Sequence, residues 1–339
     1  KDHQIIDILL INKTKNMFPI VEIEQNFEKG KICFSEGNCN KIDFETVKNV
    51  LGGDYTIQDD QGKSMFPYLY LGTKTNKNKI YDMVEKDFNK IKNIYIKKNT
   101  TKYLNFNNFK NVKEIDIILE NPKTSKLVIH NSNLKDIKIN VTSKYYEIYK
   151  NDIFSQIRHD ESLLTGCLTI INSQLENLEI NFNYSNCEDA INFIRSKGNI
   201  KNLKVQNSQF DALDADSSNI IFENIEIENA LNDCVDFSFG NYLVQNLKVI
   251  NCGDKGLSVG EKSSVNISNF NSTKTNLSFV SKDSSILHLN KFSSDFDKNI
   301  ICGKAYNKKQ EFDGAEIFLN EKINCKISLD KFSKLNNRF

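Results

Sequence analysis

The sequence predicts an all-β chain: a parallel β-helix with turns of about 22 residues and a partly helical N-terminal cap. Three observations predict it. Columns of like residues recur at a fixed period, short apolar runs alternate with polar turns from about residue 115 to 320, and no helix-period segment of useful length interrupts them after residue 160.

The repeat is clearest in DALDADSSN at 211–219 and DCVDFSFGN at 233–241. Asp189, Asp211, Asp233 and Lys255 fall in one column, and Asn192, Asp214, Asp236 and Ser258 in another. Leu203, Ile225 and Leu247 keep step, as do Val205, Ile227 and Val249. Asn202, Asn224 and Asn246, with Asn207, Asn229 and Asn251, form amide columns that can hydrogen-bond as ladders along stacked parallel strands, a structural role. Upstream, EIDIILE at 114–120, KLVIH at 126–130, IKINV at 137–141, CLTII at 167–171 and NLEINF at 177–182 read as further strands. A repeat made only of strands and turns closes its core by stacking one turn on the next.

The first hundred residues differ. KIDFETVKNVLGG at 41–53 and NKIYDMVEKDFNKIKNIYI at 78–96 have helix-compatible spacing, so 1–110 reads as a cap or accessory segment, 111–320 as the β-helix and 321–339 as the far cap.

The 339 residues carry 45 basic and 44 acidic side chains, which leaves no overall field to attract a polyanion and does not favour nucleic acid. No apolar run approaches the length of a membrane-crossing helix, so no membrane span is expected, and no lipidation signal is visible. No signal peptide is visible and the chain opens on Lys1, so localisation rests on the eight cysteines. Cys33 with Cys39, Cys167 with Cys187, and Cys302 with Cys325 are spaced for disulfides, the last two by roughly one repeat. Disulfides would place the chain outside the cell, secreted, on the surface or in the periplasm; buried reduced thiols are the equal alternative.

Structural turns explain the Asn columns but not the acid ones. Stacked carboxylates about 5 Å apart cost on the order of 3 kcal/mol per adjacent pair at an effective dielectric of 20, so a cation, a lysine, a proton or solvent must offset them. Asp214 and Asp216 share one strand face, and Asp236 stacks beside Asp214. Later turns change sign through Lys255, Glu261, Lys262, Lys282 and Lys308, so one face runs from acidic to basic.

The turns FDALDADSSN, NDCVDFSFGN, CGDKGLSVGE and SFVSKD resemble those of polygalacturonase-type glycoside hydrolases, members of the pectin lyase-like superfold, whose segments read NTDG, GDDC, GHGxSIGS and RIK. Asp211 matches the Asp of NTDG, Asp233 and Cys234 the end of GDDC, residues 256–260 the GxSIG run, and Lys282 the Lys of RIK. The resemblance runs from Phe210 to Asp283. It implies a right-handed coil that cleaves a polyuronate by single displacement between an acid and a base. Asn232, Lys255 and Val280 depart from the family at an Asp, a His and an Arg.

Three functions follow from these residues. A hydrolase acting on an acidic polysaccharide would use Asp211 with Asp233, or Asp214 with Asp236, as its carboxyl pair, with Asp216, Glu261, Lys262 and Lys282 meeting the substrate. A lyase would hold Ca²⁺ on Asp214, Asp216 and Asp236 and take a lysine of lowered pKa, Lys255, Lys262 or Lys282, as base. A glycan-binding or structural β-helix would need no chemistry, and the lost family positions favour it. The four histidines lack metal-ligand spacing, IRHDE at 157–161 and KKQE at 308–311 read as solvated charge, and GLSVG is not a phosphate loop.

Overall fold

A computed structural model describes residues 4–9, 20–26, 29–33, 39–42, 57–58, 64–65, 70–73, 93–106, 112–143 and 164–338. The chain divides into two compact units, Lys1–Phe88 with Gln156–Leu164, and Asn89–Ser155 with Thr165–Phe339.

The described strands of the first unit form an antiparallel sheet in the order Cys39–Ile42, Lys29–Cys33, Ile20–Asn26, Gln4–Leu9 and Tyr70–Thr73, beside a short pair, Ile57–Gln58 with Ser64–Met65. Cys33 pairs in register with Cys39 across this sheet. Most of the helical stretch expected at 41–53, and 78–92 of the second, lie outside the described residues. Asn93–Ile96, the end of that second stretch, is a strand: it alternates exposed and buried with period two, and Ile94 and Ile96 enter the core.

The second unit is a parallel β-solenoid, as the repeat predicts, with no α-helix among the described residues. Each turn contributes one strand to a ten-stranded sheet and one to a twelve-stranded sheet, and from Gln174 to Ser294 the strands of the second are the longer. Leu203, Ile225 and Leu247 are successive register partners, as the period requires, and Phe270 continues their column after a slightly longer turn. Solenoid pairing begins at Asn93–Ile96 and Thr100–Leu104, upstream of the expected boundary at 110. Lys326–Leu329 and Lys334–Asn337 continue both sheets into the segment expected as the far cap.

Between the sheets lies one continuous apolar core. The short strands send in Leu168, Ile191, Leu213, Val235, Leu257 and Phe279, and the long strands send in the Leu203 and Val205 columns. Phe193, Phe222, Phe237 and Tyr242 follow one another with ring centroids 6.2, 5.7 and 4.3 Å apart.

Two amide ladders run along the coil. Asn246 Nδ2 donates to Asn224 Oδ1 at 3.0 Å and Asn224 Nδ2 to Asn202 Oδ1 at 3.1 Å, as the columns predict. Asn207, Asn229 and Asn251 form the second with φ near +60°, a backbone state that asparagine tolerates better than most residues. A serine ladder at the bend after each short strand adds to what the columns predict: Ser173 N–H donates to Ser196 Oγ at 3.2 Å, and Ser196 N–H to Ser218 Oγ at 3.0 Å. Gly240 follows where the next serine would stand, and the buried Tyr242 hydroxyl takes over, donating to Ala215 O at 2.7 Å and accepting from Ser218 N–H at 3.4 Å. A Cβ on Gly240 would come within 2.5 Å of that hydroxyl.

Three disulfides staple the solenoid. Cys167–Cys187 and Cys302–Cys325 are two of the pairs expected from spacing, with Cα separations of 5.5 and 5.8 Å. Cys234–Cys252 is additional to them; it closes a single turn, from the entry of one short strand to the end of the long strand that follows.

Candidate functional site

The outer face of the ten-stranded sheet carries the acid columns, and register decides what each acid does. Asp189 and Asp211 are register partners, and Asp233 follows one turn on. All three are buried. Asp211 Oδ1 accepts from the Asp233 N–H at 2.8 Å and from Asn232 Nδ2 at 2.7 Å. Asp233 Oδ1 accepts from the Lys255 N–H at 3.1 Å, and Lys255 Nζ lies 3.1 and 3.2 Å from its two oxygens. In this column Asp211 and Asp233 each cap the backbone of the next turn, which is a structural use. Burial, then the Asp233, Asp189 and Asp236 carboxylates, push Asp211 well above the usual carboxylate range. Burial and Asp236 raise Asp233 to about 6, with Lys255 opposing.

One column over, Asn192, Asp214, Asp236 and Ser258 are successive register partners. Asn192 Nδ2 donates to Asp214 Oδ2 and to Asp189 Oδ2, each at 3.2 Å. Asp214 and Asp236 are half-buried. Their surroundings differ in sign. Burial, followed by the Asp216, Asp189 and Asp236 carboxylates, pushes Asp214 well above the usual range, whereas Asp236 Oδ2 lies 3.6 Å from Lys282 Nζ. Among the described residues the other oxygen of Asp236 has no hydrogen-bond partner, nor does Ser258 Oγ beside it.

The remaining expected residues flank this pair. Asp216 is buried in the next outward column, in register with Ser238. Glu261 is buried at the bend, where it accepts from Ser238 Oγ at 2.6 Å and pairs with Lys309 Nζ at 2.7 Å. Burial raises its carboxyl, but Lys282 and Lys309 prevail and hold it below its ordinary value. Lys309 belongs to the KKQE run read as solvated charge; the structure corrects that reading, because its partner is buried. Lys262 is exposed on the same bend. IRHDE at 157–161 lies outside the described residues.

Lys255 and Lys282 are both held above the ordinary lysine value. Burial lowers each, but Asp233 and Asp254 outweigh it at Lys255, and Asp236 and Glu261 at Lys282. This is the reverse of the lowered pKa that a lysine base requires. Among the described residues no group of three or more acids, histidines or cysteines is placed to hold a metal ion.

Beyond the acid pair the face carries charges of both signs, not the run from acidic to basic expected from the sequence. A shallow depression of about 540 Å³ is lined by Asp254, Lys255, Val280, Lys304, Tyr306 and Asp330, among others, and Lys255 is already paired with Asp233 and Asp254. Val280 pairs in register with Lys304, and Lys282 with Tyr306. Sequence reasoning missed Lys304 and Tyr306 because the turn between Val280 and Lys304 is longer than the repeat, which puts both residues out of step with the columns. No family model, curated protein or solved structure matches this chain, so the likeness of its turns to polygalacturonases rests on the quoted residues alone.

Proposed function

We propose that this β-solenoid hydrolyses an acidic, uronate-containing polysaccharide at the Asp214–Asp236 pair. One observation carries the reading: two carboxyls in register on adjacent strands stand in different environments, one pushed toward the neutral acid by burial and then by neighbouring carboxylates, the other facing an ammonium. Such a split assigns acid and base roles. Adjacent strands lie about 4.8 Å apart, nearer the carboxyl separation of retaining glycosidases than the longer one of inverting enzymes.

In the reaction that follows, a carboxylate oxygen of Asp236 attacks the anomeric carbon while the Asp214 proton passes to the leaving glycosidic oxygen and the C–O bond breaks. Water then cleaves the glycosyl ester, giving its proton to the Asp214 carboxylate. Lys282 Nζ lies 3.6 Å from Asp236 Oδ2, and the exposed Lys304 offers a cation for a substrate carboxylate. Elimination is the weaker reading, since neither buried lysine is disposed to lose its proton. The capping of backbone by Asp211 and Asp233 favours a second reading, a glycan-binding solenoid without turnover.

The test is incubation with a panel of acidic polysaccharides, following new reducing ends and the absorbance of unsaturated uronate. Reducing ends without that absorbance, lost in Asp236→Asn, are expected. Binding without release would leave the glycan-binding reading; both signals together would indicate a lyase.

A further inference from the structure

We infer that Gly260 and Lys309 are positioning residues that hold the Lys282 ammonium on Asp236. The inference rests on the reaction proposed for the Asp214–Asp236 pair and says what builds the difference between its two carboxyls. Lys282 ends the strand Leu277–Lys282, and Asp236 lies in Val235–Ser238, two strands back across Lys255–Gly260. That distance is about 10 Å at roughly 4.8 Å per strand, so the lysine comes within 3.6 Å of Asp236 Oδ2 by lying down along the sheet. Gly260 gives it the lane. A Cβ there would stand 2.7 Å from Lys282 Cε and 3.5 and 3.7 Å from its Cγ and Cδ, so the methylenes run over the place of the missing side chain. Among the described glycines only Gly198 has a positive φ, so Gly260 supplies space and not an unusual backbone.

The next residue, Glu261, competes for the same ammonium. Burial lowers Lys282, but Asp236 and Glu261 both act on it and hold it above the ordinary lysine value, so two carboxylates share its reach. The direct partners of Glu261 are others: Lys309 Nζ lies 2.7 Å from Oε1, and Ser238 Oγ donates to Oε2 at 2.6 Å. Lys309 is delivered by the loop after Tyr306, which is anchored at two further points. Asp283 Oδ1 accepts from the Lys308 and Lys309 N–H groups at 2.6 and 2.8 Å, and the Phe312 ring stands 6.1 Å from that of Phe239. With its charge met by Lys309, buried Glu261 leaves Lys282 to Asp236. Without Lys309 a buried carboxylate lacks its ion-pair partner and draws Lys282 to itself.

The test joins crystal structures to kinetics for three variants of the full chain: Gly260→Ala, Lys309→Met, and Lys309→Met with Glu261→Gln. In Gly260→Ala the added Cβ meets the flexible end of a side chain, so the strand should stay in place while Lys282 lifts off Asp236. In Lys309→Met the Lys282 ammonium should turn onto Glu261. Both changes should lower kcat on an acidic polysaccharide by about tenfold with KM unchanged. The double variant, which removes the competing carboxylate, should return Lys282 to Asp236 and restore kcat. A lysine still paired with Asp236 in both single variants would overturn the inference, as would a displaced lysine with kcat unchanged. A loss in Lys309→Met that Glu261→Gln does not restore would assign Lys309 to the fold alone and overturn its positioning role. If the unaltered chain cleaves no polysaccharide, the hydrolase reading is discarded, and the position of the Lys282 ammonium in the variants decides this inference by itself.

Discussion

Lys255 Nζ bridges both oxygens of Asp233 one turn away, at 3.1 and 3.2 Å, with side-chain exposures of 16% and 5%. The pair ties two turns of the coil at the centre of the charged face. Removing one partner strands a buried charge, so Lys255→Met should destabilise the solenoid by about 3 kcal/mol. Asp233→Asn, which keeps an acceptor for the Lys255 N–H, should cost less. Urea denaturation of both variants checks the order; equal losses would argue against the capping role.

Stability should rise on mild acidification. Asp211, Asp214 and Asp233 are all raised in the folded state, Asp233 to about 6, so folding takes up protons. Their contribution is complete below the unfolded carboxylate value and is lost as pH rises through the folded one. Glu261 and Glu226 are lowered and act oppositely, losing their contribution at more acidic pH. The melting temperature should therefore be higher at pH 5 than at pH 8 and fall again in stronger acid. A flat profile from pH 5 to 8 would refute the protonated carboxyls.

Tyr242→Phe should destabilise by about 2 kcal/mol, because Ala215 O and Ser218 N–H each lose the hydroxyl inside the bend, while Ser238 O keeps the Ser217 N–H. Gly240→Ala should cost more, since the added Cβ also meets Ser218 O at 2.2 Å. Chemical denaturation ranks the two.

Cys234→Ser with Cys252→Ser should lower stability by about 3 kcal/mol, the scale of chain-entropy loss for a loop of this size. Reductant should then shift the melting temperature of the variant less than that of the unaltered chain. Identical shifts would mean that this bridge contributes nothing.

Asp236→Asn and Asp214→Asn should each lower kcat by about 10²-fold or more while leaving the fold intact. Asp211→Asn, on the capping column, should act mainly on stability. A loss of turnover in Asp211→Asn at unchanged stability would move the chemistry to the other column.

The repeat period by itself determined the parallel stacking, the amide ladders, the nearness of two cysteine pairs and the pairing of Asp214 with Asp236, because repeats that stack in register convert sequence spacing directly into neighbours across strands; that those cysteines are bridged and not reduced, the structure decided. It could not reveal contacts made where the period breaks: Lys304 lies beyond a lengthened turn, Lys309 stands in a loop, and Cys234–Cys252 closes one turn rather than joining two. Nor could it divide labour between two identical-looking acid columns. The tertiary structure decided that Asp211 and Asp233 face the next turn's backbone while Asp214 and Asp236 face outward between carboxylates and Lys282, since a carboxyl's role depends on burial and on charges from several turns at once, which no single repeat encodes.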